Sequence, residues 1–425
     1  MKIVADFHIH SRFSRATAHD ITIKNLSQWM KKKGVNLLGT GDFTHPMWFK
    51  ELKENLEPAE EGLYRLKGDN DEKNISRFIL TTELSCIYSQ GGKGRRIHLV
   101  ILAPSLEVVQ KINIALSWQG NLQSDGRPIL GLSAIELVKL LFSVSPDIVV
   151  IPAHIWTPWF SLFGSMSGFD TVEECFGEWA NKIFAIETGL SSDPQMNWRL
   201  SQLDNFSITS NSDSHSVPKI AREANVFNTE LSYSKIIEAI KSGIPANYSK
   251  DSTQFLYTIE FYPEEGKYHY DGHRLCNVCL SPVEAKRINN ICPKCHRPLT
   301  IGVMHRVEDL ADRPVDYKPS NRPPFKKLVP LLEIIAEVMN STVAAKKVQD
   351  EFERLINIFG DEISILTDIS IKDIEAESDY KLAEAIKRVR ENKLVISPGF
   401  DGEYGKVKIF ADDEILTRNN SLFCL

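Results

Sequence analysis

Seven short β-type runs, each carrying or leading into a histidine or a carboxylate, punctuate the first 248 residues. They are Lys2 to Ala5, Val35 to Thr40, Arg77 to Thr81, Arg96 to Leu102, Asp147 to Ile151, Lys182 to Ile186 and Phe206 to Thr209. Between several of them, Asn25 to Lys33, Ser133 to Phe142 and Ser232 to Lys241 carry apolar residues at helical spacing. Strand and helix in alternation predict a parallel sheet, and seven strands predict its closure into a barrel. A parallel barrel gathers the carboxyl ends of its strands on one face, where such folds keep their active sites.

Strand one runs into His8 and His10, strand two into Asp42 and then His45, and strand three into Glu83. Strand four contains His98, strand five runs into His154, strand six into Glu187, and strand seven into Asp213 and His215. His8 and His10 stand two apart, so on an extended chain they point the same way, as two ligands of one cluster must; Asp213 and His215 repeat that geometry. A lone histidine after a strand is more often a hydrogen-bonded structural residue than a ligand. Seven strands that all deliver such a residue are not explained that way. Imidazoles mixed with carboxylates suit zinc, manganese or iron better than magnesium alone, and a carboxylate such as Glu83 can bridge two ions. Two ions would activate water and hold a leaving oxygen, so no serine or cysteine nucleophile is required.

A chain of 425 residues exceeds one ordinary domain. Composition changes near Ser249 and again after the proline-rich Arg322-Pro323-Pro324, which predicts domains at 1–248, 249–325 and 326–425. In the middle segment Cys276, Cys279, Cys292 and Cys295 form two CxxC pairs, the arrangement of a structural four-cysteine zinc site. His269, His273 and His296 read as surface residues, and Cys86, Cys175 and Cys424 as ordinary thiols. The last segment is mainly helical, over Lys327 to Asn340, Val343 to Phe359 and Lys381 to Arg390, and closes with a hairpin in Val395 to Phe410. Nothing in the sequence spans a membrane or signals export, so a cytoplasmic protein is expected. The net charge of −6 announces no polyanion partner; nucleic acid would have to meet a local basic patch. One such patch is SQGGKGRR, with Lys93, Arg95 and Arg96, although an exposed, solvated loop is its plain alternative. Trp156, Trp159, Phe160 and Phe163 follow His154 without a pattern that buries them all, and either stack on bases or pack as a loop core.

The ordered motifs DFHIHS, GTGDFTH, TTELS, RIHLVI, PAHIW and SNSDSH resemble the PHP domain, the polymerase and histidinol phosphatase superfamily, over roughly residues 1 to 245. With ETGLSSDPQMNWRLS, HIWTPWFSLFGSMSGFD and the cysteine-bearing segment, nearly the whole chain resembles the endonuclease Q family. The resemblance implies a distorted seven-stranded β/α barrel holding two or three divalent ions, zinc, manganese or magnesium, beside one structural zinc. It implies an enzyme that nicks double-stranded DNA on the 5′ side of uracil, hypoxanthine or xanthine and at abasic sites. By motif position His8, His10, Glu83, His98, His154, Asp213 and His215 match metal ligands; His8, His10 and Asp213 are then catalytic, and Asp193 matches an active-site aspartate that ligates an ion or orients water. One departure is plain: the family usually carries Asp-His where this chain has Asp42-Phe43, so that ligand is missing or supplied by His45. Some members reach the sliding clamp through a C-terminal peptide; residues 420–425 lack its glutamine and aromatic pair, so no clamp partner is carried over. Two other readings stand beside this one, a phosphatase of small phosphate monoesters and a non-catalytic DNA-binding scaffold.

Overall fold

The computed structural model describes residues 1–69, 75–248, 253–411 and 414; Cys424 and residues 420–425 lie outside the described residues. The seven expected strands are present as β1 (Lys2–Asp6), β2 (Leu37–Gly39), β3 (Arg77–Gln90), β4 (Lys93–Ala103), β5 (Val149–Pro152), β6 (Ala185–Glu187) and β7 (Ser207–Thr209). β1, β2 and β3 are parallel neighbours, with Ala5 opposite Leu37 and Leu37 opposite Arg77, and β6 and β7 form a parallel pair. Their apolar residues are buried on both faces, as covered parallel strands require. The helix Ile23–Lys33 lies between β1 and β2; the Thr22 hydroxyl accepts from Asn25 N at its start, and Gly34 ends it in the left-handed conformation.

The expectation of a purely parallel sheet is corrected at β4. Gln90 pairs with Lys93, so only Gly91 and Gly92, both at positive φ, separate β3 from β4. Two residues make a hairpin, whereas a parallel neighbour needs a crossover of roughly a dozen residues. β4 therefore runs antiparallel to both β3 and β5. Its early residues reach the face that the later half of β3 occupies, and His98 stands opposite Ser85, two residues from Glu83. Main-chain bonds draw the remaining edges together: Ile155 N donates to Glu187 O at 3.1 Å, and His10 N to Ser214 O at 2.9 Å.

The boundaries expected after 248 and 325 do not match the sheet. β8 (Ala224–Asn228) pairs antiparallel with β1, β9 (Gln254–Glu260) antiparallel with β8, and β10 (Phe325–Lys327) parallel with β9. Phe255 and Ile259 are buried, so QFLYTIE belongs to the main core. The cysteine unit is an excursion between β9 and β10. Beyond it, helices at Leu331–Val338, Lys346–Phe359, Glu362–Thr367, Ile371–Glu377 and Tyr380–Arg390 pack back on the first helix. Phe352 stacks on Trp29, and the buried Lys33 Nζ lies 2.8 Å from the equally buried Glu362 Oε2. The closing hairpin pairs Val395–Ser397 with Lys406–Lys408 and joins the cysteine unit, where Arg274 N and Thr300 Oγ1 both donate to the Asp401 carboxylate.

Candidate functional site

Glu83, on β3 and out of contact with water, stands at the centre of the converging strand ends. Its Oε1 lies 2.7 Å from His98 Nδ1 and 3.1 Å from His154 Nε2. Its Oε2 faces the other way, 3.4 Å from His8 Nε2 and 3.3 Å from His10 Nε2, and His10 Nε2 is in turn 3.0 Å from Asp213 Oδ1. Two donor groups result, His8, His10, Glu83 and Asp213 on one side and Glu83, His98 and His154 on the other, each with its ligand atoms within 4.8 Å of one another. They share the carboxylate, which is the geometry of a ligand that bridges two ions.

Other carboxylates orient the rings instead of joining the groups. Glu187 holds His8 Nδ1 at 3.0 Å and also accepts from His154 N and Asn211 Nδ2. Asp42 holds His10 Nδ1 at 3.1 Å and accepts from Ser11 N and Ser14 Oγ. Each bond fixes the imidazole so that Nε2 faces the cluster, the task of the outer partners of metal-ligating histidines. The metal-ligand reading of Asp42 is corrected accordingly. His45 is corrected more fully: it precedes the helix Pro46–Asn55, its ring stacks on Phe13 at 4.4 Å, and it does not replace the ligand missing at Phe43, which is core. His215 borders the first group, its ring 4.6 Å from that of His10 and its Nδ1 on Asp213 O, without entering either group.

The charge balance favours cations. Burial opposes charge on His8 and His10, yet the surrounding carboxylates outweigh it and raise both well above the ordinary imidazole range. Burial opposes ionisation of Glu83 too, and His98, Arg127 and His8 overcome it and hold the carboxyl well below its usual range. Burial pushes His98 down to about 4, leaving a neutral ring with a lone pair to offer. His8 Nε2 is buried without a hydrogen-bond partner, an orphaned donor atom aimed at the carboxylates. Donor types, ring orientation and this orphaned nitrogen fit divalent ions. Asp42, His154 and Asp213 all take positive φ, an uncommon conformation held here by the surrounding bonds.

Arg127 has no counterpart in the sequence pattern. Its Nη1 lies 2.9 Å from Glu83 Oε2, and it is delivered by the turn Asp125-Gly126-Arg127-Pro128. Gly126 is essential to that turn, since a Cβ there would come within 2.2 Å of the Asp42 carboxylate. The only prior signal was a D-G dipeptide that marks a turn and says nothing of its destination.

Several expected residues stand elsewhere. Asp193 is not in the cluster: it caps the short helix Pro194–Asn197 by accepting from Met196 N, and its Oδ2 is 2.8 Å from Lys327 Nζ. Trp156 is 1% exposed and donates to Asn197 Oδ1 at 2.8 Å, so it is core and not a reader of bases. Arg95 stacks on Phe169 at 4.0 Å and donates to Gly168 O. Lys93 and Arg96 stay exposed on the hairpin, Trp159 is 41% exposed, and Phe160 packs on the His98 ring at 4.6 Å. In the cysteine unit the converging side chains are His273, Cys276, Cys292 and Cys295. Cys279 lies outside this group, since it pairs with Gly272 while its neighbour Val278 pairs with His273, and adjacent strand residues face opposite sides.

This α/β fold, with two donor groups sharing a carboxylate at its strand ends, defines a metal-dependent hydrolase. Comparison with known proteins narrows the class. The chain is similar to the lesion-specific endonuclease PfuEndoQ from Pyrococcus furiosus, with a TM-score of 0.83 and 32% identity over 96% of this chain and 95% of that one. It is also similar to endonuclease Q in complex with a 27-mer duplex substrate carrying an abasic lesion at the active site, with a TM-score of 0.81 and 32% identity over 96% of each chain. The chain belongs to the endonuclease Q family. Protein MJ0043 of Methanocaldococcus jannaschii is 34% identical over 263 residues, 60% of this chain but only 31% of that protein's length. The family model described as the MJ0043 C-terminal domain matches residues 330–393, the helical region that follows β10.

Proposed function

We propose that this chain is a cytoplasmic DNA repair endonuclease that hydrolyses the phosphodiester on the 5′ side of deaminated bases and at abasic sites in duplex DNA. The observation that carries this reading is the Glu83 carboxylate shared by the two donor groups, in a chain similar over 96% of its length to a lesion-specific endonuclease and to endonuclease Q bound to a duplex with an abasic lesion. The sheet is read as a distorted seven-stranded barrel, β1 to β7, with the cysteine unit and the helical region as its additions.

His8, His10, Glu83, His98, His154 and Asp213 would hold two divalent ions, and His273, Cys276, Cys292 and Cys295 one structural zinc. Ions bound at the strand ends supply an activated water and a counter-charge for the leaving oxygen. The chain's own contribution is placement. Glu187 and Asp42 hold His8 and His10 with one nitrogen facing inward. Arg127, a fixed cation beside Glu83, is placed to meet a phosphate oxygen with its planar fork. Phe160 covers His98, and together with Trp159, Lys93 and Arg96 it forms the wall facing the DNA.

The test uses duplexes with a single uracil, hypoxanthine, abasic site or normal base, incubated with the protein and Mn²⁺ or Mg²⁺. A nick on the 5′ side of the lesion, and none in the normal duplex, is expected. Intact duplexes together with rapid phosphate release from a small ester would instead establish the monoesterase, and neither activity would leave a binding scaffold.

A further inference from the structure

Asp6, the last residue of β1, is fully buried and belongs to neither donor group. Its Oδ1 accepts from His8 N at 3.3 Å and from Ser212 N at 3.1 Å, and its Oδ2 from Ala221 N at 2.9 Å and from Ser212 Oγ at 2.6 Å. The donors come from three segments: the exit of β1, the turn that carries Asp213, and the turn that precedes β8. An ionised carboxyl accepts on both oxygens, whereas an amide of the same shape accepts on one head and donates on the other. Each Asp6 oxygen faces a main-chain N–H that cannot reverse, so an amide opposes one of them in either orientation. A carboxylate held away from water is costly unless such bonds are made.

What these bonds hold is the main chain beside Asp213. Asp213 takes φ +46°, in the left-handed region that few residues other than glycine adopt. The preceding residue, Ser212, is gripped on both sides: its N–H by Asp6, and its carbonyl oxygen by Arg222 Nε, which donates at 2.9 Å. Ala221, also at positive φ, donates to Asp6 and immediately precedes Arg222, so one carboxylate fixes both jaws of this clamp. On the other side of Asp213, Ser214 O accepts from His10 N at 2.9 Å. Asp213 therefore reaches His10 Nε2, 3.0 Å away, from a turn pinned at both of its neighbours.

Resting on the reading of the strand ends as ion sites, we infer that Asp6 is a positioning residue for the first donor group. It holds the Asp213 turn and the His8 main chain so that both side chains converge with His10 and Glu83. Glu187 and Asp42 act on imidazole rings; Asp6 acts on main-chain N–H groups. His98 and His154 receive no bond from it, so its effect falls on one ion site of the two.

The experiment measures Mn²⁺ binding to the full chain, with the zinc of its cysteine unit retained, by the electron paramagnetic resonance signal of free Mn²⁺. The wild-type protein is expected to bind two Mn²⁺ ions. In Asp6→Asn one of the two dissociation constants is expected to rise roughly 10- to 100-fold, as when an outer partner of a metal ligand is lost, while the other stays unchanged. Ser212→Ala removes only the hydroxyl bond and is expected to weaken the same site by less. His98→Ala disables the second group, and adding Asp6→Asn to it should weaken the ion that is left. An equal rise in both constants shows general loosening and overturns the inference, as does no rise in either. Should Asp6→Asn fail to fold, Ser212→Ala decides: selective weakening of one site supports the inference, and equal or absent weakening overturns it. A wild-type protein that binds no Mn²⁺ beyond its zinc would instead overturn the reading of the strand ends as ion sites.

Discussion

The strand-end cluster and the cysteine unit are both built to hold metal, and they are assembled in opposite ways. The cluster draws His8 and His10, Glu83, His98, His154 and Asp213 from across two hundred residues, through strand pairing and the main-chain bonds between the turns that follow the strands. The cysteine unit draws its four side chains from a span of 23 residues, 273 to 295. Long-range assembly leaves room for residues that orient the ligands without touching metal, as Glu187 and Asp42 do. Local assembly leaves little room: its core consists of Val278, Ala285, Cys292 and Leu299, with four partly buried side chains against them. One centre is supported by a fold that stands without it; the other has almost no apolar core of its own.

The largest effect is therefore expected in the cysteine unit. Structural zinc contributes on the order of 10 kcal/mol in small metal-held units, so Cys292→Ser should melt this one, read as loss of hydrogen-exchange protection over residues 271–300. Cys279→Ser should keep one zinc per chain, measured by mass spectrometry of the intact protein, and His273→Ala should lose it. The opposite pair of results would restore the four-cysteine set. Next comes His8→Ala, which is expected to lower lesion cleavage roughly 10³-fold, the upper range for removing one electrostatic group from an active site. Its thermal midpoint should change little. A large drop in that midpoint would show that the cluster, like the cysteine unit, holds up its own surroundings. Asp42→Asn is expected to weaken metal affinity roughly 10- to 100-fold, seen as a rightward shift of the Mn²⁺ activation curve with the plateau retained; a lost plateau would return Asp42 to the ligands.

The smallest effect concerns the carboxylates behind the cluster. Burial pushes Glu260 up to about 8, and the Asp193 charge adds to this while hydrogen bonds from Thr258 and Thr188 oppose it. The folded state then binds a proton that the unfolded state releases near pH 4.5, so stability falls as pH rises from that point and levels off above about 8. Between pH 7 and 9 the loss is about 1 kcal/mol. Glu260→Gln should flatten the fall in thermal midpoint over that interval, and an unchanged slope would place the proton elsewhere.

Much of this was legible in the chain. All seven strands were, because β-type runs of four to seven residues end in polar turns. The reversal of β4 was also written there, in the Gly91-Gly92 pair between two β-type runs, but the rhythm of alternating strand and helix outweighed it. Ligand and orienting residue were not separable at Asp42, since an aspartate on one nitrogen of His10 and an aspartate on a metal have the same composition and spacing. His45 was readable in principle, standing directly before Pro46 at a helix start. Cys279 was lost to strand alternation, visible only once its partner Gly272 is known. Arg127 and the Lys327–Asp193 pair depend on contacts across 44 and 134 residues that no periodicity records.

The positive φ angles of Asp42, His154 and Asp213 bear on how such a chain changes under selection. Glycine or asparagine would sit more comfortably at His154 than histidine does. A library screened for heat resistance alone would accumulate such replacements, and its hardiest survivors would be inert. Ranking variants of this chain by melting point would thus enrich for loss of activity at the positions where the backbone is most reluctant.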